Sequence, residues 1–180
     1  MSCRILAVGL IVVLLCGSVL GQPLVLIPSG EQLALIRKVW TLDRNFPQKG
    51  TITVAIVYQR LDPESEVTKE EMLNAGRNLR GLQFILVDME SLNTDWRAFN
   101  GVHVVYLAPL RGVNLTALLE ATRKRSIRTF TGVPEYVARG VAVGIASEHN
   151  RTVIMVNQRA ARAEGANLSS QLLKLARVVR

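Results

Sequence analysis

The segment VIMVNQRAARAEGANLSSQLLKLARVV, residues 153–179, decides the fold of this chain. Its apolar start predicts a buried strand, and Asn157 then precedes a first polar helical turn. Gly165 breaks that turn, and Ser169 is placed to cap an amphipathic helix extending to about Arg180. The side chains predicted on the buried face of this last helix are Leu172, Leu173, Leu175, Ala176 and Val179. Nothing in the segment resembles a catalytic motif, which favours a binding or regulatory module over an enzyme.

Working outward from this segment, alternating strands and helices predict an α/β fold. The run TITVAIVY (51–58) is almost continuously apolar, as is typical of a parallel strand covered on both faces. LQFILVDM (82–89) and VHVVYLA (102–108) are predicted as the second and third strands. Helical patterns lie between them, and a very short link joins VAVGIAS (141–147) to RTVIMV (151–156), which favours an antiparallel hairpin. We therefore expect a layered single domain with a mostly parallel sheet, flanking helices and a late antiparallel hairpin.

Four local features complete this prediction. The helical period begins at Ser29 and continues to about Arg44. Residues 61–67 are predicted to be a loop, followed by a helix whose capping box pairs Thr68 with Glu71. Asn114 is placed to cap the next helix. A short strand is then predicted over residues 127–131, before a brief helix that begins near Pro134.

Residues 1–21 are predicted to be a cleavable signal peptide. A short positive start precedes an apolar run over residues 5–15, and small residues precede the expected cleavage at Gln22. An uncleaved membrane anchor is the alternative, although crossing a bilayer takes about 20 apolar residues. We expect residues 22–180 to form the exported domain, with no stable membrane insertion after cleavage.

Both cysteines, Cys3 and Cys16, lie within the predicted signal peptide. The mature chain would then contain no disulfide, although export normally permits one. Its stability must come from a hydrophobic core, and a domain of this length buries about 70% of its unfolded surface.

The mature chain is basic. Only Arg4 among the charged residues lies in the predicted signal peptide, which leaves a net charge of +7. Basic residues cluster over 123–128 and again over 151–180, a distribution that favours an anionic partner, although a solvated surface is the simpler interpretation. An exported chain with few aromatic residues is not expected to bind nucleic acid.

The sequence contains no motif for a catalytic, cofactor or metal site. Without a mature cysteine, a nucleophilic site would need another side chain beside a base, and only His103 and His149 are histidines. His103 falls in a predicted strand and His149 in a predicted turn, where both are expected to be structural or solvated. Asp88 ends a predicted strand, at the edge where open α/β sheets bind ligands. No zinc spacing, calcium loop or phosphate loop is present.

The terminal segment resembles the ending of the YfiR family of small exported bacterial proteins. The matching residues are Val156-Asn157, Ala160-Ala161, Ser169-Ser170 and LLKLA over 172–176. ALIRKVWTLDRNF (34–46) is similar to the first helix of that family, and ARGVAVGI (138–145) to its glycine-marked strand. The family's redox control through cysteines does not transfer to a mature chain without them.

This resemblance implies a non-enzymatic periplasmic regulator. Such a protein binds the periplasmic part of an inner-membrane signalling protein, with a diguanylate cyclase as a candidate, and modulates cyclic di-GMP signalling. Asn157, Arg159 and Arg162 are the candidate partner-binding residues, since they are the polar members of the terminal segment. Members of the family can be dimeric, and the periodicity here neither indicates nor excludes a homodimer. A periplasmic small-molecule binding module is the alternative.

Overall fold

The computed structural model describes residues 27–92, 95–148 and 151–179. The predicted signal peptide and His149 lie outside this range. In chain order the elements are α1 (Ser29–Thr41), β1 (Ile52–Tyr58), α2 (Pro63–Gly76), β2 (Leu82–Asp88), α3 (Met89–Leu92), a 3-10 helix (Trp96–Phe99), β3 (Val104–Leu107), α4 (Leu115–Lys124), β4 (Arg128–Thr131), α5 (Pro134–Ala138), β5 (Val143–Glu148), β6 (Arg151–Asn157), α6 (Gln158–Ala163), α7 (Ser170–Leu175) and β7 (Arg177–Val179).

The described strands form one sheet in the order β2-β1-β3-β4-β5-β6-β7. Neighbours from β2 to β5 pair in parallel, β5 and β6 pair as an antiparallel hairpin, and β6 and β7 are again parallel. The predicted α/β fold with its mostly parallel sheet and late hairpin is therefore confirmed.

Strand β1 shows why its sequence is continuously apolar. Val54 and Ile56 belong to a core that also contains Ile36 of α1, whereas Ala55 and Val57 belong to a second core that contains Leu118 of α4. Successive side chains of a strand point to opposite faces of the sheet. Helices therefore cover both faces of β1, which explains why its buried positions on both faces are apolar.

The predicted terminal helix is too long. Helix α7 ends at Leu175, and the next residues form β7, which pairs Met155 with Arg177 and Val156 with Val178. This pairing satisfies backbone groups on the free side of β6, which otherwise would be an open edge. Leu172 is buried as predicted, but Leu175 is 72% exposed. Val179 is half-buried on a strand, not on a helix face.

The start of α2 also differs from the prediction. The helix begins at Pro63, and Asp62 caps it by accepting a hydrogen bond from the Ser65 amide at 2.9 Å. The predicted loop over residues 61–67 is therefore mostly helical, and Thr68 is a buried residue within the helix. Proline in the first turn with an aspartate before it is itself a helix-start pattern, which outweighs the polar composition.

Gly144 of β5 is expected to be intolerant of alanine. An added Cβ would lie 2.4 Å from Cγ2 of Val137, which is fully buried and has little room to move. G144A is expected to lower the free energy of unfolding by about 1–3 kcal/mol, measured by urea titration. Gly30→Ala is the control, since its Cβ would meet Ala75 at 3.9 Å within a helix. Unchanged stability of G144A would contradict this expectation.

Candidate functional site

Asn157 joins β6 to α6 and uses both ends of its amide within the protein. Its Oδ1 accepts a hydrogen bond from the Ala160 amide at 2.9 Å, and its Nδ2 donates to the Val137 carbonyl at 2.9 Å. The first bond caps α6 and the second fixes it against α5. Asn157 therefore positions the helix that carries the other two candidate residues.

Arg159 and Arg162 are exposed on α6. Their spacing of three residues places them on neighbouring positions of the helix surface. Within the described residues, neither side chain forms an ion pair or a hydrogen bond to the protein. The structure thus presents two unpaired cations side by side, held by the turn that Asn157 starts.

A buried ionic network lies beneath the end of α6. Arg128, at the start of β4, donates from Nε to Asp43 Oδ2 at 2.8 Å, and its Nη1 and Nη2 donate to the carbonyls of Glu164 and Gly165. Asp43 Oδ1 in turn accepts from the Asn167 amide at 2.8 Å. The network ties the loop after α1 and the turn after α6 to the sheet.

Glu164 is a fully buried carboxylic acid in the same region. The Thr129 amide donates to Oε2 at 2.9 Å, and the Thr129 hydroxyl donates to Oε1 at 2.5 Å. Burial raises the pKa of Glu164 to about 8, because lost hydration outweighs these hydrogen bonds and the charges of Arg123 and Arg128. Glu164 therefore titrates near neutral pH.

The sequence alone does not predict this buried ionic network. Asp43, Arg128 and Glu164 are far apart in the chain, and each has the appearance of an ordinary surface charge. One sequence pattern is informative: Arg128 falls within the short strand predicted over residues 127–131, and a charge buried in a strand needs a partner. The identity of that partner depends on tertiary contacts.

His103 and Asp88 have structural partners. His103 Nδ1 accepts a hydrogen bond from the Thr53 amide at 3.1 Å, which agrees with the predicted structural role. Asp88 pairs with Arg60 at 3.1 Å and accepts from the Glu90 amide and the Ser91 hydroxyl. Burial alone would raise the pKa of Asp88, but these three partners lower it overall.

Two open cavities of about 470 Å³ lie at opposite ends of the parallel strands. The carboxyl-end cavity lies between the starts of α1 and α2, and its charged lining residues are Glu64 and Glu71. The amino-end cavity lies beside the second half of α1, and its charged lining residues are Arg37, Lys38 and Arg80. The two cavities therefore differ in the sign of their charge.

A family model described as YfiR/HmsC-like matches residues 43–177, which contain Asn157, Arg159, Arg162 and the buried ionic network. The chain belongs to the YfiR/HmsC-like family. The resemblance of the terminal segment is thereby confirmed, whereas the match begins at residue 43 and leaves most of the first-helix resemblance over 34–46 untested. Membership of this family supports a periplasmic regulatory role in general. No curated protein sequence matches the chain.

Solved structures with a similar fold are larger proteins. An ABC domain in complex with L-Trp from Streptococcus pneumonia superposes with a TM-score of 0.65 and 13% identity over 84% of this chain. A conserved domain protein from Vibrio cholerae superposes with a TM-score of 0.64 and 13% identity over 85% of this chain. The ligand-free, open structure of the substrate binding protein CD0873 from Clostridium difficile superposes with a TM-score of 0.61 and 14% identity over 86% of this chain. This YfiR/HmsC-like chain covers 60% of each, so the likeness establishes the fold alone.

The described ranges contain no helix with the length and apolar character needed to cross a membrane. Within the same residues, no three His, Cys, Asp or Glu side chains are grouped so that they could hold a metal ion.

Proposed function

We propose that this protein is exported through its signal peptide and binds the periplasmic part of an inner-membrane signalling protein. A diguanylate cyclase is the first candidate, in which case binding modulates cyclic di-GMP signalling. Membership of a family of periplasmic regulators supports this function. The observation that carries the choice of surface is the pair of exposed, unpaired cations Arg159 and Arg162 on α6.

The arrangement of α6 suits a docking surface. The helix is fixed at its start by Asn157 and at its end by the bonds from Arg128 to the carbonyls of Glu164 and Gly165. A rigid element loses little conformational entropy on binding, which favours affinity. Two arginines held in this way can pair with carboxylates on an acidic receptor face, and such pairs give specificity and fast association.

A capture experiment with a charge-reversed variant tests this proposal. The tagged protein is incubated at low salt with detergent-solubilised membranes, and the retained proteins are identified by mass spectrometry. We expect the protein to retain a membrane signalling protein and the R159E/R162E variant to retain at least about tenfold less, since close charge pairs across an interface contribute about 1.5 kcal/mol or more. Raising the salt concentration should weaken capture of the unaltered protein.

The matched control is R77E/K124E, which changes the net charge equally. Arg77 and Lys124 are exposed and form no ion pair among the described residues. The control should capture the partner normally, and thermal melts should show that both variants are folded. The proposal is wrong if no membrane signalling protein is retained. The choice of surface is wrong if the control loses capture as much as R159E/R162E.

A further inference from the structure

The charged side chains that line the amino-end cavity in the described part of the chain are all basic. It is bounded by α1, by residues 46–50 and by residues 80–82, next to the first residues of β1 and β2. Among the described residues, the charged side chains that line it are Arg37, Lys38 and Arg80, and none of its lining residues is acidic. Among the described residues, none of these three side chains forms an ion pair or donates a hydrogen bond to the protein. Three unpaired cations around one concavity attract anions.

Most of the remaining wall of this cavity is aromatic and apolar, and Thr41 and Gln48 are its uncharged polar side chains. Trp40 stacks on Phe46, with ring centroids 5.2 Å apart and planes 13° from parallel. Both residues are buried in the core, and Pro47, Ile52 and Leu82 extend the apolar lining. The cavity volume of about 470 Å³ falls within the range of small-molecule sites. The lining therefore suits a ligand that is flat and apolar at one end and anionic at the other.

Trp40 also carries an unused hydrogen-bond donor. Its indole Nε1 is buried and has no acceptor among the described residues, although the side chain is only 6% exposed. Buried indole N–H groups usually have a partner. This donor is enclosed by the core beside the cavity and does not belong to its accessible lining.

We propose that this cavity binds a small aromatic anion, with a carboxylate or phosphate group paired to Arg37, Lys38 and Arg80 and the ring packed against Trp40 and Phe46. Free amino acids should bind more weakly than such anions. Their α-ammonium group would lie near three cations, and the described lining residues include no acidic side chain to pair with it. This small-molecule site goes beyond the protein-binding function and uses none of its residues, so each can fail without the other.

Four probes of similar shape test the proposal. Phenylpropionate and phenyl phosphate carry the two candidate anionic groups, L-phenylalanine adds an ammonium group to phenylpropionate, and phenylpropanamide is neutral. Binding to the full exported chain is measured by calorimetry. We expect at least one of the anions to bind with a submillimolar Kd, and L-phenylalanine and the amide to bind about tenfold or more weakly. The better of the two anions identifies the preferred group.

Matched variants locate the site. R37Q/R80Q should weaken anion binding about tenfold or more, whereas R77Q/K124Q, with the same loss of charge elsewhere, should not. In a Trp96→Phe background Trp40 is the remaining tryptophan of the exported chain, so anion binding should change its fluorescence. The proposal is overturned if neither anion binds, if L-phenylalanine binds as tightly as phenylpropionate, or if R37Q/R80Q and its control behave alike.

Discussion

Asp43→Ala is expected to lower the free energy of unfolding by about 3–5 kcal/mol, because it leaves the guanidinium of Arg128 buried without its counterion. The two side chains are 3% and 9% exposed, and their atoms approach to 2.8 Å. The substitution also removes the acceptor for the amides of Asn45 and Asn167. Urea unfolding followed by circular dichroism measures the loss.

An exposed ion pair provides the control for this experiment. Asp95 and Arg97 form the same kind of bond at 2.7 Å, but both side chains are exposed and solvent screens their interaction. Arg97→Ala, which breaks this pair but keeps Asp95 as the cap of the 3-10 helix, should leave the unfolding midpoint nearly unchanged. The double variant D43L/R128M should recover much of the stability lost in D43A, since apolar residues need no counterion. If D43A is as stable as the unaltered protein, Arg128 does not depend on Asp43 in the folded state.

Stability should fall as the pH rises from about 5 to above 8, and Glu164 should account for most of the change. The pKa of Glu164 is raised from 4.5 to about 8 in the folded protein, so folding favours the protonated form. Its contribution is therefore complete below about pH 4.5 and is lost as the pH rises through 8. A shift of this size corresponds to several kcal/mol.

The Glu164→Gln variant removes the titratable group but keeps the shape of the side chain, so it distinguishes the effect of ionisation on stability from the effect of packing. Glutamine has nearly the same shape, can pair with the amide and hydroxyl of Thr129, and does not ionise in this range. Its free energy of unfolding should be nearly independent of pH between 5 and 8, and at pH 8 it should equal or exceed that of the unaltered protein. A pH profile of E164Q parallel to that of the unaltered protein would assign the titration to another group.

Much of the fold was predictable because it depends on local pattern. The continuous apolar runs that became β1 and β3 predict strands with two covered faces, and the structure places both in the middle of the sheet. The caps at Asn114, Asn157 and Ser169 were also predictable, since each side chain bonds an amide two or three residues later. Such contacts are determined by neighbouring residues.

The terminal strand was not predictable in this way. Residues 170–179 have an amphipathic spacing compatible with one continuous helix. The backbone leaves the helical conformation at Ala176, because the free side of β6 offers hydrogen bonds to Arg177, Val178 and Val179. No local pattern reveals that another strand has an unpaired side.

The candidate sites divide in the same way. The sequence by itself determined the alternating order of strands and helices, the hairpin and the family resemblance. It also determined the choice of Arg159 and Arg162 as candidates, because motifs and charges can be recognised within short segments. Only the tertiary structure decided that Arg128 meets Asp43 across 85 positions and that Glu164 is buried. It likewise brought Arg80 to the cavity beside Arg37. Burial and charge pairing depend on which distant segments of the chain contact each other in the folded protein. A local sequence pattern does not contain the spatial distance between such segments.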